Sequence, residues 1–233
     1  MTSPTTTPGA TSKAGFDLPK PDPDRTRRAG RIFNALSKAY PDAHCELDYA
    51  SPAELLIATI LSAQATDVGV NKATPGLFTA FPTPGDYARA TPGDIEPHIA
   101  TIGLFRNKAK AVHESMKRIH EVHQDEVPSN MEALLELRGV ARKTANVVLG
   151  NAFNINMGVV VDTHVTRLSH RLDLSQASTP VSIERDLMAL FPRRKWTLLS
   201  HLLIFHGRRV CKARGGSCAT DPICRRWGSC SNE

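Results

Sequence analysis

Residues 130–153 read NMEALLELRGVARKTANVVLGNAF, and the organisation of this stretch decides how the rest of the chain is read. Asn130–Leu137 has the spacing of a helix, Arg138-Gly139-Val140-Ala141 the composition of a tight turn, and Arg142–Phe153 resumes with an apolar face of Ala145, Val148, Leu149 and Ala152. The pattern is helix, hairpin, helix. A turn containing glycine brings backbone N–H groups to the start of the second helix, where unpaired donors and the helix dipole together favour a phosphate oxygen. The hairpin therefore reads as a clamp for a DNA backbone that recognises no base.

Outward from the hairpin the helical spacing continues. Ile32, Leu36 and Tyr40 form one stripe, Leu55, Ala58, Ile60, Leu61 and Ala63 another, and no segment alternates with period two. The expected helices are 26–40, 52–64, 68–80, 84–90, 94–100, 105–123, 130–137, 141–153, 163–170, 180–190 and 194–206, an all-α chain. Ser51-Pro52 reads as N-cap and first helical residue, Asp67 as a cap, and Ser129 with Glu132 as a capping box. Residues 1–24, rich in Pro and Thr, cannot bury enough apolar surface to offset chain entropy and read as a disordered tail.

The 233 residues are 41% hydrophobic, enough for an ordinary core in one large domain or two small ones. The longest mainly apolar run, Leu55–Leu61, is far short of the ~20 residues of a membrane span, and the N-terminus has no apolar signal region, so a soluble intracellular protein is expected. Of the formal charge of +6, the two Lys and three Asp of residues 1–24 contribute −1, leaving +7 on the rest. That balance points to an acidic partner such as nucleic acid.

Lys143 falls in the first turn of the helix after the hairpin, where the positive end of the dipole disfavours a cation. A solvated surface lysine is one reading. The other is that dipole, neighbouring Arg142 and partial burial favour the neutral amine that a Schiff-base nucleophile requires. Nineteen residues on, VVVDTHV (159–165) puts Asp162 at the end of an apolar run and the start of a helix. It reads as an N-cap, and an ionised cap can also stabilise positive charge developing on a nearby sugar.

Cys211, Cys218, Cys224 and Cys230 fall within 20 residues, spaced Cys-x6-Cys-x5-Cys-x5-Cys, and so imply a common partner. Disulfides do not suit a reducing compartment, and the short paired spacing of structural zinc sites is missing. Four thiolates on wide loops suit a cubane iron-sulfur cluster better than zinc. Cys45 stands alone and reads as a small buried hydrophobe.

Together LRGVARKTANVVLGNAF (137–153), VVDTHVTRLSHRL (160–172), SPAELLIATILSAQATDVGVNKAT (51–74), TIGLFRNKA (101–109) and FHGRRVC (205–211) with the cysteine cluster resemble the bacterial endonuclease III family, over about residues 26–230. The resemblance implies a bifunctional DNA glycosylase/AP lyase of base excision repair that removes oxidised pyrimidines and holds a 4Fe-4S cluster on Cys211, Cys218, Cys224 and Cys230. Lys143 matches the nucleophile and Asp162 the catalytic aspartate. Gln64 matches the residue filling the gap left by an extruded base, and Leu104 the wedge beside the orphaned base; both serve an enzyme that must unstack its target. Arg138, Gly139, Val140, Ala141, Arg142, His164, Arg208, Lys212 and Arg214 complete the implied DNA-binding set, although His164 could equally stand behind the substrate and Arg208 could simply pack.

The implied architecture is two helical domains with a DNA-binding cleft between them. A six-helix domain covers 45–156, with the helix-hairpin-helix at 130–153, and a discontinuous cluster domain covers 25–44 and 157–233. Its expected partner is double-stranded DNA with damaged pyrimidines or abasic sites, bound by a monomer in the bacterial cytoplasm at the nucleoid. Three departures from the family pattern stand out. Arg138 replaces a proline and Ala141 a second glycine in the hairpin, the middle cysteine gap is x5 instead of x2, and the first cluster loop has only Lys212 and Arg214 as cations. They leave open a noncatalytic or weakly active DNA-binding protein on the same scaffold.

Overall fold

A computed structural model describes residues 17–229. Among them the regular structure is helical: α1 (Pro23–Ala39), α2 (Pro52–Leu61), α3 (Asp67–Ala80), α4 (Pro84–Arg89), α5 (Pro92–Ile99), α6 (Phe105–His123), α7 (Met131–Leu135), α8 (Arg142–Ala152), α9 (Thr163–Arg171), α10 (Pro180–Leu190), α11 (Trp196–Arg209) and α12 (Pro222–Trp227), with a 3-10 turn at Arg193–Lys195. These form two compact units, one ending at Pro41 and resuming at Met157, the other spanning Asp42–Asn156. The first boundary lies three residues ahead of the 44/45 junction read from sequence, because α1 already ends at Ala39 and Pro41 follows its cap. The tail reading partly fails: Asp22 caps α1 and Pro23 opens it, so residues 23–24 are helical, while residues 1–16 lie outside the described residues.

In the Asp42–Asn156 unit, α2 is the buried axis. Leu55 through Leu61 are all buried, as expected of a helix apolar on every side. Val70, Leu77, Ile95, Ile99, Val112, Met116, Leu134, Val148 and Leu149 complete this unit's core with no exposed surface. Six helices of six or more residues and the single-turn α7 make up this unit. In the other unit, Ile32 and Leu36 of α1 share a core with Leu168, Leu187, Leu199, Leu202 and Leu203, all fully buried.

Capping chemistry sets the helix starts. Ser51 accepts from Glu54 N–H at 3.2 Å, as read from sequence. Thr66 caps α3 in place of Asp67, accepting from Gly69 N–H at 3.1 Å, because its extended backbone aims the hydroxyl at the third helical residue. By the same geometry Asn130 replaces Ser129 at α7, accepting from Ala133 N–H at 2.9 Å. In α4 and α5, Asp86 and Asp94 reach back to the N–H groups of Thr83 and Thr91 at 2.9 and 2.8 Å, closing two capping boxes. Helix α12 was not expected, although Asp221-Pro222 is a cap-and-first-turn signal; Asp221 accepts from the N–H groups of Ile223 and Cys224.

Candidate active site and metal centre

The hairpin is built by one glycine and three contacts to α6. Gly139 sits at φ +80°, in the left-handed region, and a Cβ there would lie 3.2 Å from Ala111 Cβ and 3.5 Å from Ile60 Cγ2. The turn therefore rests on both α2 and α6 and needs glycine. The Ser115 hydroxyl donates to the Arg138 carbonyl at 2.7 Å. Arg138 also pairs with Glu114, whose carboxyl is thereby held below its usual range, and Arg118 pairs with Glu136 at the end of α7. Arg138 is thus engaged by a carboxylate of its own unit.

Beyond the turn, Val140 is buried and Ala141 is the N-cap of α8, at φ −94°, ψ 172°. This extended backbone suits any residue, so alanine in place of glycine brings no backbone strain here. Ala141 has no side-chain acceptor, so the N-cap residue itself leaves the first N–H groups of α8 without a side-chain cap. Arg142 there is half-buried and Lys143 exposed. The partial burial that the second reading expected of Lys143 is absent within its unit.

Gln64 and Leu104 share a backbone signature. Each is a non-glycine residue in the left-handed region, at φ 56° and 60°, and each is exposed, Leu104 at 61%. Such conformations cost of order 1–3 kcal/mol and persist where the surrounding structure enforces them, often at ligand sites. Gln64 lies three residues past the end of α2 and Leu104 is the N-cap of α6, so both exposed residues flank the helices that support the hairpin turn.

In the other unit, Asp162 caps α9, its carboxylate accepting from Val165 N–H at 2.8 Å while the residue stays half-buried. The preceding Val159, Val160 and Val161 are buried, and Val160 N–H donates to Ser200 Oγ at 2.9 Å, fixing the approach to the cap. His164 packs against Gly207, where a Cβ would stand 3.1 Å from its ring. Arg208 is half-buried on α11.

The sulfurs of Cys211, Cys218 and Cys224 lie within 4.8 Å of one another, a donor set that can hold a metal group. Cys230 lies outside the described residues. Cys211 and Cys224 are buried and Cys218 half-buried. Hydrogen bonding from Cys224, then from Arg171 and Cys218, pushes the Cys211 thiol down to about 4 against the opposing effect of burial. Thiolate character is the form a metal requires. The loop doubles back so that Val210 C=O accepts from the N–H groups of Lys212 and Ser217, both at 3.0 Å. Gly216 permits this approach, since a Cβ there would stand 2.5 Å from Val210 O. Lys212 and Arg214 project from this loop, exposed. Cys45 is half-exposed, not the buried residue expected.

Sequence reading missed the side chains that hold this loop. Arg167 donates to the carbonyls of Gly207 and Cys211 at 2.9 and 3.1 Å, and Arg171 to Lys212 O at 2.8 Å and Cys211 Sγ at 3.5 Å. Their i, i+4 spacing on α9 was the available signal. His206, enclosed between Tyr40 and Cys224, was also missed in this role.

Residues 57–193 match the HhH-GPD superfamily base excision DNA repair protein family. The chain is 51% identical over 203 residues to the Endonuclease III of Synechocystis sp., covering 86% of this chain and 93% of that protein. Among solved structures it is similar to a non-covalent Endonuclease III–DNA complex (TM-score 0.83, 38% identity, 88% of this chain and 95% of that one). It is likewise similar to a trapped Endonuclease III–DNA covalent intermediate (TM-score 0.81, 40% identity, 85% and 93%).

Proposed function

Because the chain belongs to the endonuclease III family of base excision repair enzymes, and is accordingly a DNA glycosylase and AP lyase, we propose that Lys143 is its nucleophile, Asp162 its assisting carboxylate, and duplex DNA carrying oxidised pyrimidines or abasic sites its substrate. The observation that carries this reading is the placement of Lys143 in an exposed helix turn whose N-cap, Ala141, offers no side-chain acceptor, five residues from a carbonyl fixed by Ser115 and four from the left-handed Gly139. Phosphate oxygens accept from the hairpin N–H groups, presenting the strand to the amine.

The lone pair of Lys143 Nζ attacks C1′ of the damaged nucleotide, the glycosidic bond breaks, and the base departs with the bonding electrons and takes a proton from water. Asp162, positioned by its cap hydrogen bond, takes the proton released by the attacking nitrogen, stabilises the cationic sugar and returns that proton to O4′ as the ring opens. The sugar ring opens to an iminium, which acidifies C2′. Loss of a C2′ proton then expels the 3′ phosphate, and water hydrolyses the imine to restore the amine. Both residues must act on one nucleotide, which has to leave the stack; Gln64 fills its place and Leu104 supports the estranged partner. Their enforced backbone keeps these side chains projecting before DNA arrives.

The hairpin unit supplies backbone grip and nucleophile, and the discontinuous unit supplies Asp162 and the cysteines. Cys211, Cys218 and Cys224, with Cys230, would hold a 4Fe-4S cluster, which when bound cross-links the loop carrying Lys212 and Arg214 toward phosphate. Arg142, Arg208 and His164 are further proposed DNA contacts, while Arg138 stays paired with Glu114. No helix among the described residues is long and apolar enough to cross a membrane; a monomer working on the bacterial nucleoid fits this reading.

Borohydride trapping on abasic DNA tests it. Lys143→Gln should bind the duplex and give no covalent adduct, since the amide keeps length and polarity without nucleophilicity. Undiminished trapping would reject Lys143.

A further inference from the structure

Three helices distant in sequence meet at one imidazole. His206 on α11 is wholly buried, with Nδ1 2.8 Å from the hydroxyl of Tyr40, the residue that ends α1. Its Nε2 is 3.3 Å from Cys224 Sγ on α12. The nearest carboxylate oxygen, on Asp221, is 3.9 Å from Nε2 and already accepts two backbone N–H groups. The ring is held from the side by Tyr40, edge-on with centroids 5.8 Å apart.

The proton positions follow from the partners. A metal-ligating cysteine sulfur has no proton to give, so Nε2 must carry one and donate it. Nδ1 is then the acceptor, and the Tyr40 hydroxyl is its donor. We infer that Tyr40 and His206 form a hydrogen-bond relay that fixes an N–H donor on the Cys224 sulfur and so sets the reduction potential and lifetime of the metal group. This rests on the reading that the cysteines hold an iron-sulfur cluster. A donor on a ligand sulfur withdraws negative charge and favours the reduced state, so the relay raises the potential and slows oxidative loss. Tyr40 acts as a positioning residue, because without its hydroxyl the ring loses the contact that selects the tautomer.

The test uses the full chain with its metal group, as wild type and as Tyr40→Phe, His206→Gln and His206→Leu, each checked for helicity, iron and sulfide. Readouts are the midpoint potential by film voltammetry and the bleaching rate of absorbance near ~400 nm in air. In His206→Leu the reduction equilibrium should shift at least ~tenfold toward the oxidised form, about 59 mV for one electron. Bleaching should be severalfold faster. Tyr40→Phe should shift the same way by less, and His206→Gln, whose amide keeps a donor, should fall between wild type and His206→Leu. If His206→Leu does not fold, the other two variants decide. Iron-loaded, folded variants with wild-type potentials and bleaching rates overturn the relay alone. Zinc without iron in the wild type overturns the cluster reading, and the inference with it.

Discussion

Replacing Gly139 by alanine probes the hairpin where its backbone and packing constraints coincide. At φ +80° an alanine costs about 1–2 kcal/mol against the left-handed backbone. The added methyl would also meet Ala111 Cβ at 3.2 Å, closer than ordinary contact, whereas the 3.5 Å approach to Ile60 is tolerable. Relieving the tight contact by a shift of a few tenths of an ångström adds about 1 kcal/mol, the low end of over-packing costs. The expected destabilisation is about 2–3 kcal/mol, or roughly 8–12 °C in Tm if the hairpin unit unfolds as a whole. Urea unfolding followed by circular dichroism measures it, and a double mutant separates the components. Ala111→Gly alone should cost about 1 kcal/mol through helix propensity. Combined with Gly139→Ala it should relieve only the steric part, giving a coupling near 1 kcal/mol. A Gly139→Ala protein within about 0.5 kcal/mol of wild type, or zero coupling, would refute the packing of the turn on α6.

Asp162→Asn should fold normally, because Asn also caps helices, and cleave orders of magnitude more slowly; matching single-turnover rates would reduce Asp162 to a cap. Ala141→Gly should tighten binding to an abasic-analogue duplex about fivefold, ~1 kcal/mol, by removing a methyl from the phosphate approach. With no left-handed strain to relieve, its urea midpoint should barely move, and unchanged affinity in both wild-type and Glu114→Gln backgrounds would show that the methyl does not crowd DNA. Asp86 and Asp94 are held below the ordinary value of 3.8, chiefly by hydrogen bonds from Thr83 and Thr91. A carboxyl depressed in the folded state adds stability above its unfolded pKa and loses it as pH falls through the folded one. The urea midpoint should therefore drop below about pH 4, and less steeply in Asp86→Asn/Asp94→Asn; parallel curves for the two proteins would rule out this contribution.

What could be read from the sequence was what local chemistry determines. The helix-hairpin-helix, the Ser51 cap and the Asp162 cap each depend on residues within one or two turns, and all three are in the structure. The choice of Thr66 over Asp67 and Asn130 over Ser129 turns on backbone angles that neighbouring cap-forming residues leave ambiguous. Long-range partners were out of reach. Arg138 looked like a free phosphate ligand because Glu114, 24 residues away, is brought beside it only by packing on α6. The left-handed backbone of Gln64 and Leu104 has no compositional mark, since neither is Gly or Asn. Helix α12 has no readable periodicity because its six residues make under two turns.

The split of one unit across both ends of the chain sets an order of events during synthesis. Helix α1 buries Ala29, Ile32, Phe33 and Leu36, and Arg28 reaches the carbonyls of Leu172 and Trp227, 144 and 199 residues downstream. None of these partners exists when α1 leaves the ribosome. The continuous stretch Asp42–Asn156 can fold as soon as it emerges. At typical elongation rates of 5–20 residues per second, the apolar face of α1 waits roughly 10–40 s for the last of its partners. During that wait the nascent chain exposes a sticky helix tethered to a finished unit. Cys211, Cys218 and Cys224 likewise follow the continuous stretch, so their donor set comes together only after that unit is complete.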